Sequence, residues 1–184
     1  MIGTYRSAAA ASLLAVLCAG QAQAEQLTLD LTGISSYGEM DDPANTVLEF
    51  NLGAGAEITA VSWDVTVTAT APSWLSELAL DFYSTSRSSW ITFTPSFTDA
   101  PGTENQSGSV SLANVGLTFF ADDDGKVYFQ FNELFDDSSV SPDGSWGGSI
   151  TFDYVPGVPE PSTYALMALG IAGVGFMARR RKAS

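Results

Sequence analysis

Leu27, Leu29 and Leu31 alternate with Thr28, Asp30 and Thr32, and Val61, Trp63, Val65 and Val67 alternate with Ser62, Asp64, Thr66 and Thr68. Val127, Phe129 and Phe131 repeat the pattern against Tyr128, Gln130 and Asn132. Successive side chains on an extended strand point to opposite faces, so a period of two describes a ribbon with one face in a core and one in water. A helix would need apolar residues recurring at three and four, and no such pattern runs beyond three turns in this region. Further stretches of strand composition lie at 46–52, 78–83, 89–94, 109–120 with a break at Asn114-Val115-Gly116, and 149–154. Turn signals separate them: Asp42-Pro43, Gly53-Ala54-Gly55, Ala71-Pro72, Ala100-Pro101-Gly102, Asp124-Gly125 and Ser141-Pro142-Asp143-Gly144. Eight or nine strands at this spacing predict an all-β fold, an antiparallel β-sandwich with the jelly roll as one possible winding, over residues 25–155. Trp63, Trp90, Phe93, Phe119, Phe129 and Phe131 are the expected core.

Charge narrows the function. From Glu25 to Val158 there are 20 acidic residues and 2 basic ones, Arg87 and Lys126, a formal charge of −18. A surface of that sign repels phosphate and has almost no cations with which to displace counterions, which excludes nucleic acid as a partner. The chain has no His, and its single Cys is Cys18. Ser-His-Asp and Cys-His chemistry is therefore excluded from the body of the protein, as is a zinc site of the usual His/Cys type.

The two ends carry different signals. At the start, Arg6 precedes an apolar run from Ala8 to Ala19, followed by Ala22-Gln23-Ala24. This is the layout of a secretory signal peptide, residues 1–24, with cleavage by signal peptidase expected after Ala24 and Ala22 as the other small residue of the site. Leu17 before Cys18 is too large for lipoprotein processing, so Cys18 falls in the discarded segment. At the other end, residues 156–184, Pro156-Gly157-Val158-Pro159 reads as a stiff linker, and the eighteen residues from Pro161 to Ala178 carry no charge. As a helix these would span about 27 Å, close to a bilayer core of about 30 Å. Arg179, Arg180, Arg181 and Lys182 would stop the segment and stay in the cytoplasm, leaving everything before Pro161 outside. Pro159 and Pro161 lack amide hydrogens and push Val158 and Glu160 into extended conformations, as an enzyme cleft requires.

The order Pro159-Glu160-Pro161, apolar helix, basic end resembles the PEP-CTERM sorting tail of Gram-negative bacteria. The resemblance implies recognition at Val158, Pro159, Glu160 and Pro161 by an exosortase-type processing enzyme. It also implies transient anchoring in the inner membrane and then delivery to the cell surface or extracellular matrix, alongside exopolysaccharide in biofilm. The catalytic groups would belong to the processing enzyme, and this chain would be its substrate rather than an enzyme.

Within the β region, Asp122-Asp123-Asp124-Gly125 is the densest acidic run, and oxygen-rich loops suit Ca²⁺. Its adjacent acids do not match an EF-hand, and Asp-Gly between Phe119-Phe120 and Val127-Tyr128 equally describes a solvated hairpin turn. Trp74, Tyr83, Trp146 and Tyr154 lie near expected turns or strand ends, where an aromatic can either close the core or stack on a sugar ring. Asp143-Gly144-Ser145-Trp146-Gly147-Gly148 is the leading candidate for an exposed aromatic loop, with Trp146 as the glycan contact. The expected function is a structural or adhesive protein of an exopolysaccharide matrix. A carbohydrate-binding module is the alternative. A glycan hydrolase ranks below both, because nothing in the spacing selects a pair of carboxylates.

Overall fold

The computed structural model describes residues 23–136, 141–157 and 167–172. Ten strands follow one another: β1 (Glu25–Asp30), β2 (Ile34–Ser36), β3 (Thr46–Asn51), β4 (Glu57–Ala69), β5 (Leu78–Ser84), β6 (Trp90–Phe93), β7 (Gly102–Ser111), β8 (Phe119–Phe120), β9 (Lys126–Glu133) and β10 (Gly144–Val155). All pairings are antiparallel. One sheet has the order β1-β10-β4-β7, with β2 also on β10 and β8 also on β4; the other has the order β3-β9-β5-β6. β1 and β2 pair with successive parts of β10, so they act as one edge strand interrupted at Leu31–Gly33. β7 and β8 do the same along β4, interrupted by the 3-10 turn Ala113–Val115.

Counted this way, each sheet has four positions, and the chain crosses between sheets at most connections. That is the winding of a jelly roll.

The alternation read from sequence sets which faces meet. Phe82 and Phe129 of the four-stranded sheet meet Phe119 and Phe152 of the other, with ring centroids 4.8–5.3 Å apart. Leu80, Phe131, Val65, Val67 and Ile150 complete the buried interior. Each such side chain contributes about 1.5–3 kcal/mol on leaving water.

Three expectations change. The strand expected at 109–120 begins at Gly102, because Gly102–Gly108 is nearly all polar or glycine and shows no alternation, yet pairs residue by residue with β4. β10 begins at Gly144 rather than at Ser149. Of the expected core, Phe119, Phe129 and Phe131 are fully buried and Trp63 and Phe93 half-buried, but Trp90 is 46 % exposed. Trp90 lies on the edge strand β6 opposite Tyr83, and this register turns both to the outer face.

Candidate functional site

Three places in this fold bear on function, beginning with the chain ends. Glu25 pairs with Tyr154 in register, and the Tyr154 hydroxyl donates to Glu25 Oε2 at 2.8 Å. The expected signal cleavage site and the start of the tail therefore leave the sandwich side by side. Ala24 is described and stands exposed just before β1, whereas Ala22 lies outside the described residues. The tail begins against the β3–β4 turn: a Cβ on Gly157 would stand 1.5 Å from the Ala54 carbonyl oxygen. Val158, Pro159, Glu160, Pro161 and the basic run Arg179 to Lys182 also lie outside the described residues. Residues 167–172 are helical, with Met167, Leu169 and Ile171 all 59–68 % exposed. Among the described residues no helix is long and apolar enough to cross a membrane.

At the same end of the sandwich is the acidic run. Asp122 accepts hydrogen bonds from the Ser86 amide at 2.5 Å, the Ser86 hydroxyl at 3.0 Å and the Ser88 hydroxyl at 3.1 Å. Asp124 accepts from the Thr85 hydroxyl at 2.7 Å and the Lys126 amide at 3.1 Å. The Ser86 amide holds Asp122 below the usual carboxylate range, and the Thr85 hydroxyl does the same for Asp124. These oxygens tie the β8–β9 turn to the β5–β6 turn across an open depression of about 460 Å³, lined by Thr85, Ser86, Ala121 and Asp122–Asp124. Asp123 faces solvent. Among the described residues no group of three or more acids, His or Cys gathers in metal-ligand geometry. What the arrangement does chemically is staple two turns together.

Trp146 is not an exposed aromatic. It is 4 % exposed, lies within β10 opposite Val67, and meets Phe131 edge-on at 5.4 Å. The glycine-rich flanks that resemble a loop are strand: Gly144 faces Leu78, Ser36 and Glu133 so closely that any Cβ would collide with them. Trp74 is 43 % exposed, Tyr154 half-buried and Tyr83 buried.

Of the third place the sequence singled out Tyr83 alone as a candidate for stacking on a sugar. On the outer face of the four-stranded sheet the register aligns Glu49, Tyr128, Tyr83 and Trp90 in one row and Val47, Gln130, Asp81 and Thr92 in the next. Tyr83 stacks on Tyr128 at 5.5 Å and leans against Trp90 at 6.4 Å. Asp81, only 2 % exposed, accepts from Trp90 Nε1 at 2.7 Å, from Asn132 Nδ2 at 2.9 Å and from the Thr92 hydroxyl. The Tyr83 hydroxyl donates to Gln130 Oε1 at 3.3 Å, and burial pushes its pKa up. Arg87 lies over the rings of Tyr83 and Trp90, at 4.9 and 5.7 Å, and forms a two-bonded ion pair with Asp41 of the β2–β3 loop. Inward and outward residues of β5 and β9 are both buried, so polarity alternates along them while burial does not.

Comparison with known proteins decides the nature of the tail. Residues 157–182 match the PEP-CTERM protein-sorting motif. The chain carries a PEP-CTERM sorting motif. Such a motif implies export and processing by an exosortase-type enzyme, and its first residue is the Gly157 that packs on Ala54. No curated protein gives a significant sequence match to the chain. Among solved structures, the chain is similar to a structure of infectious bursal disease virus, Gx strain, at 7 % identity and TM-score 0.37, over 71 % of this chain and 32 % of that one. It is also similar to the tobacco streak virus coat protein dimer at 10 % identity and TM-score 0.25, over 75 % of this chain and 90 % of that one. The chain thus spans about a third of the length of the first of these.

Proposed function

We propose that this protein is an exported surface or matrix protein, processed at both ends. The general secretory route delivers it, signal peptidase removes residues 1–24, and the apolar segment from Pro161 to Ala178 holds it in the inner membrane with Arg179–Lys182 inside. An exosortase-type enzyme then recognises Val158–Pro161 and passes the β-sandwich to the cell surface or extracellular polysaccharide. There the sandwich has a structural or adhesive role and performs no catalysis of its own.

The match of residues 157–182 to the sorting motif carries this reading. Two features of the molecule support it. Both expected cleavage sites leave the same end of the sandwich, where the paired residues Glu25 and Tyr154 lie, so a membrane-held tail does not bury the opposite end. The helical residues Met167, Leu169 and Ile171 are exposed rather than packed into the core, which leaves those side chains available to a bilayer.

Intact mass spectrometry of the protein from the extracellular fraction of a producing strain tests the route. The expected mass lacks residues 1–24 and the apolar and basic segment that follows Pro161. Glu160→Ala is expected to accumulate in the membrane fraction with the tail still attached. Recovery of the unprocessed chain from the cytosol would overturn the reading.

A further inference from the structure

The outer face of the four-stranded sheet carries more polar chemistry than a solvent face needs. Gln130 and Asn132 are 2 % and 1 % exposed, and among the described residues Gln130 Nε2 and Asn132 Oδ1 find no hydrogen-bond partner. A buried donor and a buried acceptor left unpaired are costly, and in native proteins they are uncommon enough to need a reason. Beside them stands a platform of three rings, with Trp90 at its edge 46 % exposed.

Over that platform sits a strained closure. Among the described residues, only two besides glycine adopt a left-handed backbone: Asp41 at φ 71° and Arg87 at φ 58°. They are the two partners of one ion pair. Left-handed geometry is uncommon at residues other than glycine, and such positions cluster at ligand clamps and switches.

The charges of this face indicate what it can hold. Arg87 and Lys126 are the two cations of the whole region from Glu25 to Val158. Each is neutralised on the spot, Arg87 by Asp41 and Lys126 by Glu49 at 2.7 Å. No net positive charge remains to attract an anion, and the surrounding −18 repels one. Flat aromatic faces next to amide and carboxylate groups, without net positive charge, complement a ring that is apolar on its faces and hydroxylated at its edge.

We propose that this face binds an uncharged polysaccharide, with a pyranose ring stacked on Trp90 beside Tyr83 and Tyr128. Opening of the Arg87–Asp41 pair lifts the guanidinium from the Tyr83 and Trp90 rings and bares the Tyr83 edge beside Gln130. Side-chain rearrangement of this size is ordinary on binding. The proposal gives the matrix reading a ligand class and a site, and it rests on that reading for its biological setting. The binding itself does not depend on the route of export.

The test uses the protein purified with its tail in a sugar-free detergent. Neutral hexasaccharides of glucose, mannose, galactose and xylose, in α and β linkages, and an acidic oligogalacturonate are titrated while tryptophan fluorescence and heat are followed. Saturable binding of at least one neutral hexasaccharide is expected, with none of the oligogalacturonate. Trp90→Ala should weaken it by about tenfold or more, as loss of a central aromatic anchor does. Trp90→Phe should retain most of it, and Trp74→Ala, on a turn at the other end of the sandwich, should change nothing. Tyr128→Ala provides a second reading should Trp90→Ala fail to fold. No saturable binding across the neutral panel, preference for the acidic chain, or binding indifferent to both Trp90→Ala and Tyr128→Ala would each overturn the proposal. Failure here with correct processing by mass would leave the export reading intact. Binding with faulty processing would do the reverse.

Discussion

Phe129 shows at the scale of one residue how this fold is held. It is fully buried, and its ring lies 4.8 Å from Phe152 and 6.0 Å from Phe50. Truncation would leave a cavity between two sheets that cannot collapse onto each other, so Phe129→Ala is expected to cost about 3–5 kcal/mol. A lower urea midpoint with an unchanged slope would show this as lost stability rather than a changed denatured state. The polar staple at Asp122 acts differently, through protonation. Asp122, Asp124, Asp30 and Glu104 are all held below their ordinary pKa values by hydrogen bonds from neighbouring amide and hydroxyl groups. A carboxylate whose pKa falls on folding adds stability above its unfolded value of about 4, and this is lost as pH falls through the lower folded value. Melting temperature is therefore expected to hold at neutral pH and to drop below about pH 4. Asp122→Asn should be less stable at pH 7 and should show a smaller acid-induced drop. An equal drop in both would remove Asp122 from the staple.

At the scale of elements, the strands differ in how plainly their residues announce them. β4 was legible because alternating residues meet alternating environments, and β9 because its polarity alternates even where its burial does not. β5 was legible as an apolar run, although its Asp81 and Tyr83 are buried as well. β7 and the first half of β10 were not, because Gly102–Gly108 and Gly144–Gly148 contain few apolar side chains and owe their strand form to hydrogen bonds from β4 on each side. Glycine here answers to space. Gly148 has φ 82°, and a Cβ would stand 2.2 Å from the Asp64 carbonyl oxygen; Gly147 has nothing nearer than 3.9 Å. Gly148→Ala is accordingly expected to destabilise by about 2 kcal/mol or more, while Gly147→Ala should be close to neutral. Chemical denaturation of the two variants separates a steric demand from a general intolerance of side chains in this strand. Trp146 illustrates the same blindness: neighbouring glycines make a loop look open, and only the pairing with Val67 and the contact with Phe131 show that the indole is inside.

For the molecule as a whole, the imbalance of charge is the dominant long-range term. With 20 acids and 2 bases between Glu25 and Val158, self-repulsion opposes compactness and is screened by salt. The melting temperature is expected to rise between about 0.01 M and 0.5 M sodium chloride, over which the screening length falls several-fold. A melting temperature flat across that range would mean that repulsion is balanced locally, as it is at Arg87–Asp41 and Lys126–Glu49.

Sequence by itself determined the class of fold and the sorting tail. Both are properties of contiguous residues: strand periodicity follows from the geometry of an extended chain, and the tail's order of extended triplet, apolar stretch and basic end is chemistry along a line. Tertiary structure decided which strands neighbour one another, that Trp146 is core and Trp90 surface, and that Asp41 and Arg87 meet over Tyr83. Those facts depend on hydrogen-bond register between segments up to 129 residues apart, as Glu25 and Tyr154 are. A shift of one residue in that register would exchange every inward side chain for its outward neighbour, and no local pattern records the choice.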